Sequence, residues 1–382
     1  MSDLLTYFQG QRQAMVDLLT TLVHYETPTR GKAEVDLLGA FMEQQFHALG
    51  ASSVQRIPVA EVGDMRLAKW NETAPGLPIL FLMHIDTVWP VGTLANRPVT
   101  IDAEGKLFGP GAVDMKGGIT IVLTALRGLI ERGEMPHRPI WVLMTTDEEV
   151  GSIHSKQTII DIAKQCGLVL VMEPATKEEA LKTQRKGIAT YDVRVEGRAS
   201  HAGNAPEQGI NAIVDLAQQI MALNAMNDLK NGTSVSVTMV SGGITMNVIP
   251  PLAEATVDVR TLTARAYQEI NEKILARTPF VPGARVTVQQ HHARGPMERN
   301  AQMIAAFNQT KAIGAKYGVT VREDSSGGAS DGNFTAYEGI VTLDGLGPQG
   351  DGLHAEHEHV VVNSLPRRAT LIAGMLRDWH FD

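Results

Sequence analysis

The sequence predicts an α/β protein, a parallel-sheet domain interrupted by an inserted βαββαβ unit. Two observations carry that expectation. Up to about residue 183, near-continuous apolar runs alternate with segments of helical periodicity, the mark of βαβ units. After Lys186-Gly187 the apolar residues fall on every second position, as in a strand with one solvated face. A chain of 382 residues exceeds what one core usually organises, so two domains are expected, and 43% hydrophobic content can fill both cores.

Two amphipathic helices open the chain. Met15, Leu18, Leu19, Leu22 and Val23 recur at helical spacing, and Val35, Leu38, Phe41, Met42, Phe46 and Leu49 repeat the pattern before Gly50. Pro78-Ile-Leu-Phe-Leu-Met, Pro139-Ile-Trp-Val-Leu-Met and Leu168-Val-Leu-Val-Met read as strands buried on both faces, with a helix over 119–132 between the first two. In the insertion, Tyr191, Val193 and Val195 alternate with Asp192, Arg194 and Glu196. A helix follows through Ile213, Leu216, Ile220 and Leu223, then strands near 235–239 and 253–259, a helix near 264–277 and a strand near 285–289. That order is the order of a ferredoxin-like sandwich. From Asn300 the first pattern returns, with a strand at 340–343, so the expected domain boundaries are 1–185 and 298–382 around an insertion at 186–297.

Composition narrows the function classes. The net charge is -8 and no Lys/Arg run breaks the acidic balance, which argues against a nucleic-acid or anionic-membrane surface. The longest apolar stretches fall far short of the roughly 20 residues of a membrane helix, and residues 1–26 lack a charged-then-apolar secretory pattern. The single cysteine, Cys166, allows no internal disulfide and fits a reducing compartment, so the expected location is cytoplasmic.

The chemistry gathers where the three apolar runs end. They lead into His84-Ile-Asp86, Asp147-Glu148-Glu149 and Glu173-Pro174, and ligands of open α/β sheets bind at the carboxyl ends of such strands. Asp114, in Gly109-Pro-Gly-Ala-Val-Asp-Met-Lys-Gly-Gly118, and His354, in Gly352-Leu-His-Ala-Glu-His-Glu358, complete a set of imidazoles and carboxylates large enough for two zinc-like ions. Asp114 suits the bridge because its glycine-rich loop lets backbone approach closely. One ion then takes His84, Asp114 and Glu173, and the other Asp114, Glu149 and His354. Adjacent Glu148 and Glu149 point to opposite sides of an extended segment, so one is a ligand and the other, assigned as Glu148, is placed for proton transfer. Asp86 suits a carboxylate that fixes the tautomer of His84. Alone, a His-x-Asp or an Asp-Glu-Glu is an ordinary surface feature, and the 354–359 segment lacks the spacing of a helical zinc motif. Their joint placement on strand ends is what points to a hydrolase.

These segments, with Ala199-Ser-His-Ala-Gly203 and Asn247-Val-Ile-Pro250, resemble the di-zinc exopeptidase and deacylase family that includes bacterial glutamate carboxypeptidase, acetylornithine deacetylase and succinyl-diaminopimelate desuccinylase. The resemblance spans nearly the whole chain and implies a zinc-peptidase-like α/β catalytic domain whose inserted ferredoxin-like domain serves as lid and dimerisation unit. It also implies two divalent ions, zinc before cobalt or manganese, a bridging Asp114 followed by a cis peptide, and Glu148 as general base. On the substrate side it implies that His201 reaches across a homodimer to the scissile carbonyl, while Asn247, Arg260 and the backbone of Gly328 receive a free carboxylate. Read from its surroundings alone, Arg260 on the polar face of a strand beside Asp258 also has a bland reading, a surface ion pair. The expected substrate is a small N-acyl amino acid or short peptide with a free carboxylate. Overall likeness, including Leu365-Pro-Arg-Arg-Ala-Thr, is nearest the glutamate carboxypeptidases, with an N-acyl amino acid deacylase or a non-catalytic amino-acid or peptide binder as the alternatives.

Overall fold

The computed structural model describes residues 3–381. The chain divides into two compact units: one runs to Thr183 and resumes over Arg299–Ser325 and from Ser330 onward, the other comprises Gln184–Glu298 and Ser326–Ala329. The first unit is built on a six-stranded sheet in the order Ser53–Ile57, Met65–Trp70, Ile140–Thr145, Ile79–His84, Leu168–Val171, Thr342–Leu343. Its last four strands are parallel. The first two are antiparallel, so the sheet is mixed where a parallel one was expected. Only seven residues join Ile57 to Met65, enough for a hairpin and too few for a crossover.

The parallel strands are covered on both faces, which is why their sequences are apolar without alternation. Phe81, Met83, Val142 and Met144 join a core with the helices Arg12–Val23, Lys32–Ala48, Gly117–Glu131 and Ser364–Asp378. Leu80, Leu82, Leu143 and Val169 face the opposite cluster with Ile159, Ile160 and Phe334. A further helix, Asp3–Gly10, precedes the two expected ones. The expected strand at 340–343 shortens to Thr342–Leu343. A smaller ladder pairs Lys106–Phe108 with His359–Val361 antiparallel, Phe108 opposite His359.

In the second unit the elements Gly187–Glu196, Ala212–Asn224, Ser234–Gly242, Leu252–Thr261, Ala264–Leu275 and Arg285–Arg294 follow the order βαββαβ. They form an antiparallel sheet in the order Ser234–Gly242, Leu252–Thr261, Gly187–Glu196, Arg285–Arg294. Tyr191, Val193 and Val195 pack with Leu216, Leu223, Ile270 and Ile274 to form its core. The last strand runs past 289 to Arg294 through an irregularity between Gln290 and Ala293, a break that sequence alternation does not reveal.

Candidate metal centre

Parallel register brings the three strand ends level. His84 lies opposite Thr145, just before Glu148 and Glu149, and Leu82 lies opposite Val171, two residues before Glu173. The imidazole Nε2 of His84 stands 3.2 Å from Asp114 Oδ1 and 3.6 Å from Glu173 Oε1. That of His354 stands 3.3 Å from Asp114 Oδ2 and 3.0 Å from Glu149 Oε2. One carboxylate, Asp114, thus turns one oxygen to each histidine. His84, Asp114 and Glu173 are buried, whereas the His354 side chain is half exposed in a left-handed backbone conformation.

Asp114 sits between the strand Lys106–Phe108 and the helix Gly117–Glu131, and the Asp114–Met115 peptide is cis, as the resemblance implies. The glycines of this loop serve close approach. A Cβ on Gly111 would lie 2.6 Å from Thr87 Cγ2, and one on Gly118 would lie 2.3 Å from the carbonyl oxygen of Met172. Glu148–Val150 forms a 3-10 turn, not the extended segment expected, and Gly151 closes it at φ 97°. Asp86 sets that turn. Its buried carboxylate accepts from the N–H of Glu148 and of Glu149, each at 3.3 Å, and from the Thr29 hydroxyl at 2.7 Å. Its carbonyl lies 3.0 Å from His84 Nδ1, which fixes the proton there and turns Nε2 to the centre. Because of the turn, Glu148 and Glu149 both reach the centre: ligand atoms of His84, Glu148 and Glu173 lie within 4.8 Å of one another, as do those of His84, Asp114 and Glu149.

Imidazole nitrogens and carboxylate oxygens at this spacing are the donor set of a zinc-like ion. The electrostatics agree. Burial raises Asp114, yet contacts with His354 and His84 outweigh it and hold the carboxyl far below its usual range. The Asp114 and Glu149 carboxylates raise His354 to about 10 against the opposing effect of burial. Burial raises Glu149 to about 7, with the His354 contact opposing and the charges of Asp114 and Glu148 adding to the rise. The centre therefore favours positive charge between its carboxylates.

A model of peptidase family M20/M25/M40 matches residues 80–378. The chain belongs to this family. Over 380 residues the M20 chain is 32% identical to carboxypeptidase G2 from a Pseudomonas species, covering 96% of this chain and 90% of that protein. It is 30% identical to the succinyl-diaminopimelate desuccinylase of Methylococcus capsulatus, covering 78% of this chain and 82% of the other. Its fold matches that of a dinuclear metal-binding M20 peptidase from Bacillus subtilis with TM-score 0.67 at 14% identity, covering 97% and 98% of the two chains. The M20 chain is thus a hydrolase of the metallopeptidase and amidohydrolase class.

The remaining expected residues of the M20 chain lie in its second unit. His201 pairs with Val248 in a two-residue ladder, and the N–H of Ala202 donates to the Asn247 carbonyl at 2.9 Å, so His201 and Asn247 share one tip. His201 Nδ1 accepts from the N–H of Gly203 and Asn204, at 3.1 and 3.0 Å, which puts the hydrogen of the neutral ring on the exposed Nε2. Arg260 forms a two-point ion pair with Asp258, Nε to Oδ1 at 2.8 Å and Nη2 to Oδ2 at 3.0 Å. The N–H of Gly328 donates to the Ser326 hydroxyl at 3.2 Å, and its carbonyl accepts from Arg185 at 3.2 Å.

Sequence reasoning missed two buried carboxylates of the M20 centre. Asp147 accepts from the N–H of His154 at 2.7 Å, folding the chain that follows Glu149. Glu358 accepts from the backbone of the Asp114 loop. In the sequence Glu358 looks like the exposed Glu356 two residues before it, and Asp147 like one more acid of the Asp147-Glu148-Glu149 run, and no spacing singles either out.

Proposed function

We propose that this chain is a di-zinc amide hydrolase of the glutamate carboxypeptidase type, releasing a C-terminal amino acid from an N-acyl amino acid or short peptide. The observation that carries the reading is Asp114, with one oxygen facing His84 and the other His354. His84, Asp114 and Glu173 would hold one ion, and Asp114, Glu149 and His354 the other. The chemistry two divalent ions supply when held there is polarisation of the substrate carbonyl and acidification of water. Glu148 takes the proton of the attacking water and delivers it to the leaving nitrogen. Asp86 keeps His84 in the ligating tautomer and holds the turn that aims Glu148. The partner subunit's His201 donates Nε2–H to the oxygen that becomes negative, and Asn247, Arg260 and the backbone at Gly328 receive the free carboxylate.

The domain assignment proposed is a catalytic domain of 1–185 and 298–382, with 186–297 as lid and dimerisation domain. The strand Ser234–Gly242 is a sheet edge, and Met239, Val240, Ile244 and Met246 are exposed on or just beyond it, an unprotected edge that a second copy can pair with. Among the described residues no helix is long and apolar enough to cross a membrane, and a buried free thiol at Cys166 suits the cytoplasm. The likeness to the desuccinylase favours a second reading, an N-acyl amino acid deacylase working through the same centre. Elemental analysis with a substrate panel decides. Two ions per chain and fastest release of glutamate from N-aroyl and peptidyl glutamate are expected. Preference for N-succinyl or N-acetyl substrates selects the deacylase, and two bound ions with no hydrolysis refute both.

A further inference from the structure

Glu358 is wholly buried, its carboxylate accepts hydrogen bonds from four neutral donors, and the buried Lys116 ammonium interacts with it electrostatically. Oε1 accepts from the N–H of Val113 at 3.0 Å and of Asp114 at 3.2 Å. Oε2 accepts from the N–H of Gly111 at 2.9 Å and from the indole Nε1 of Trp89 at 2.8 Å. The ladder explains how one side chain reaches them all. Phe108 pairs with His359 in an antiparallel register, so the loop leaving Phe108 toward Asp114 and the loop from His354 into Glu358 emerge from the same end of the ribbon. The carboxylate closes the gap between them.

We propose that Glu358 is a positioning residue that locks the Asp114 loop to the His354 loop and so holds two ligands of one metal position in mutual register. The inference rests on the two-metal reading above. Amides on the N-terminal side of Asp114 are fixed by Glu358, so the Asp114 side chain leaves from a stationary backbone; His354 lies four residues before the same anchor. The position formed by Asp114, Glu149 and His354 depends on this lock through two ligands. The position formed by His84, Asp114 and Glu173 depends on it through one.

Glu358→Gln tests the lock with little change of shape. An amide has a single acceptor oxygen, so its NH₂ must face N–H donors that the carboxylate now accepts from. Stepwise metal affinity is read by chelator competition, with hydrogen exchange at residues 111–114 of the metal-stripped protein as a readout independent of turnover. The expected result is a weakening of one binding step by about 10- to 100-fold, a smaller change in the other, and faster exchange at Gly111, Val113 and Asp114. Should Glu358→Gln fail to fold, Trp89→Phe takes away one of the four donors to Glu358, together with the larger ring under Arg97, and must weaken the same step less strongly. Unchanged affinities, or equal weakening of both steps, overturn the proposal. A wild type that binds fewer than two ions instead removes the reading on which it rests.

Discussion

Gly118→Ala is the sharpest test of how the fold aims the centre, because the substitution touches no proposed ligand or base. Gly118 lies in the first turn of the buried helix Gly117–Glu131, and a Cβ there would sit 2.3 Å from the carbonyl oxygen and 3.0 Å from the Cβ of Met172. Met172 directly precedes Glu173. Ordinary contact begins near 3.4 Å, so helix and strand end must separate by about 1.1 Å. Neither can retreat easily. The helix is buried along almost its whole length, and the Met172–Glu173 backbone is backed by Gly347, where a Cβ would already come within 2.4 Å of the same carbonyl oxygen. A displacement of about 1 Å at a catalytic group costs on the order of 100-fold in rate, and overpacking costs about 1–3 kcal/mol in stability. Steady-state kcat, metal content and the thermal midpoint should all fall, while Gly10→Ala, where nothing lies within 4 Å, should leave them unchanged. Gly118→Ala with wild-type kcat and full metal content refutes the reasoning.

Five further outcomes follow from the proposed roles. Asp114→Ala should lose both ions and His354→Ala mainly one, by elemental analysis; retention of two ions in Asp114→Ala removes the bridge. Glu148→Gln should keep its metal and lose about 10² to 10⁴ in kcat, whereas Glu149→Gln should lose metal; the reverse pattern exchanges base and ligand. His354 is raised from 6.5 to about 10 by Asp114 and Glu149, so in metal-stripped protein the stability from its protonation is complete below pH 6.5 and is lost as pH rises through about 10. Across that window metal uptake should release a proton and affinity should climb with pH, which calorimetry in buffers of different ionisation enthalpy reads directly; uptake without proton release contradicts it. Arg260→Ala should lower kcat/KM about 10- to 100-fold for substrates with a free carboxylate and little for their amides, and mixed His201→Ala and Glu148→Gln dimers should recover activity neither variant has alone. Equal losses on acid and amide, or exchange of subunits without recovery, count against those roles.

The parallel strands were legible because burial on both faces leaves apolar runs with no alternation, and Ile79–His84 and Ile140–Thr145 are of that kind. The antiparallel edge was not. Met65–Trp70 carries Arg66 buried beside Glu43, an ion pair that breaks the apolar signature without exposing the strand. The turn at Glu148 was hidden for a related reason, since its shape is imposed by Asp86, whose contact with that backbone spans 62 residues of sequence.

The same physics separates the residues that chemistry announces from those that only packing reveals. A proposed ligand such as His84 or Glu173 sits at the end of a recognisable strand, so residue type and position together mark it. Glu358 and Gly118 act on backbone, one by accepting N–H groups and the other by having no side chain, and neither requires a pattern in its own neighbourhood. Their backbone partners lie 244 to 247 residues away for Glu358 and across a helix–strand contact for Gly118. Glu358 and Glu356 are indistinguishable as letters; one is buried under the Asp114 loop because the register Phe108 to His359 puts it there. Ligand identity is therefore a local property of this chain, while ligand aim is a property of its ladder registers and close contacts, and substitutions at Glu358 and Gly118 are where the two can be told apart.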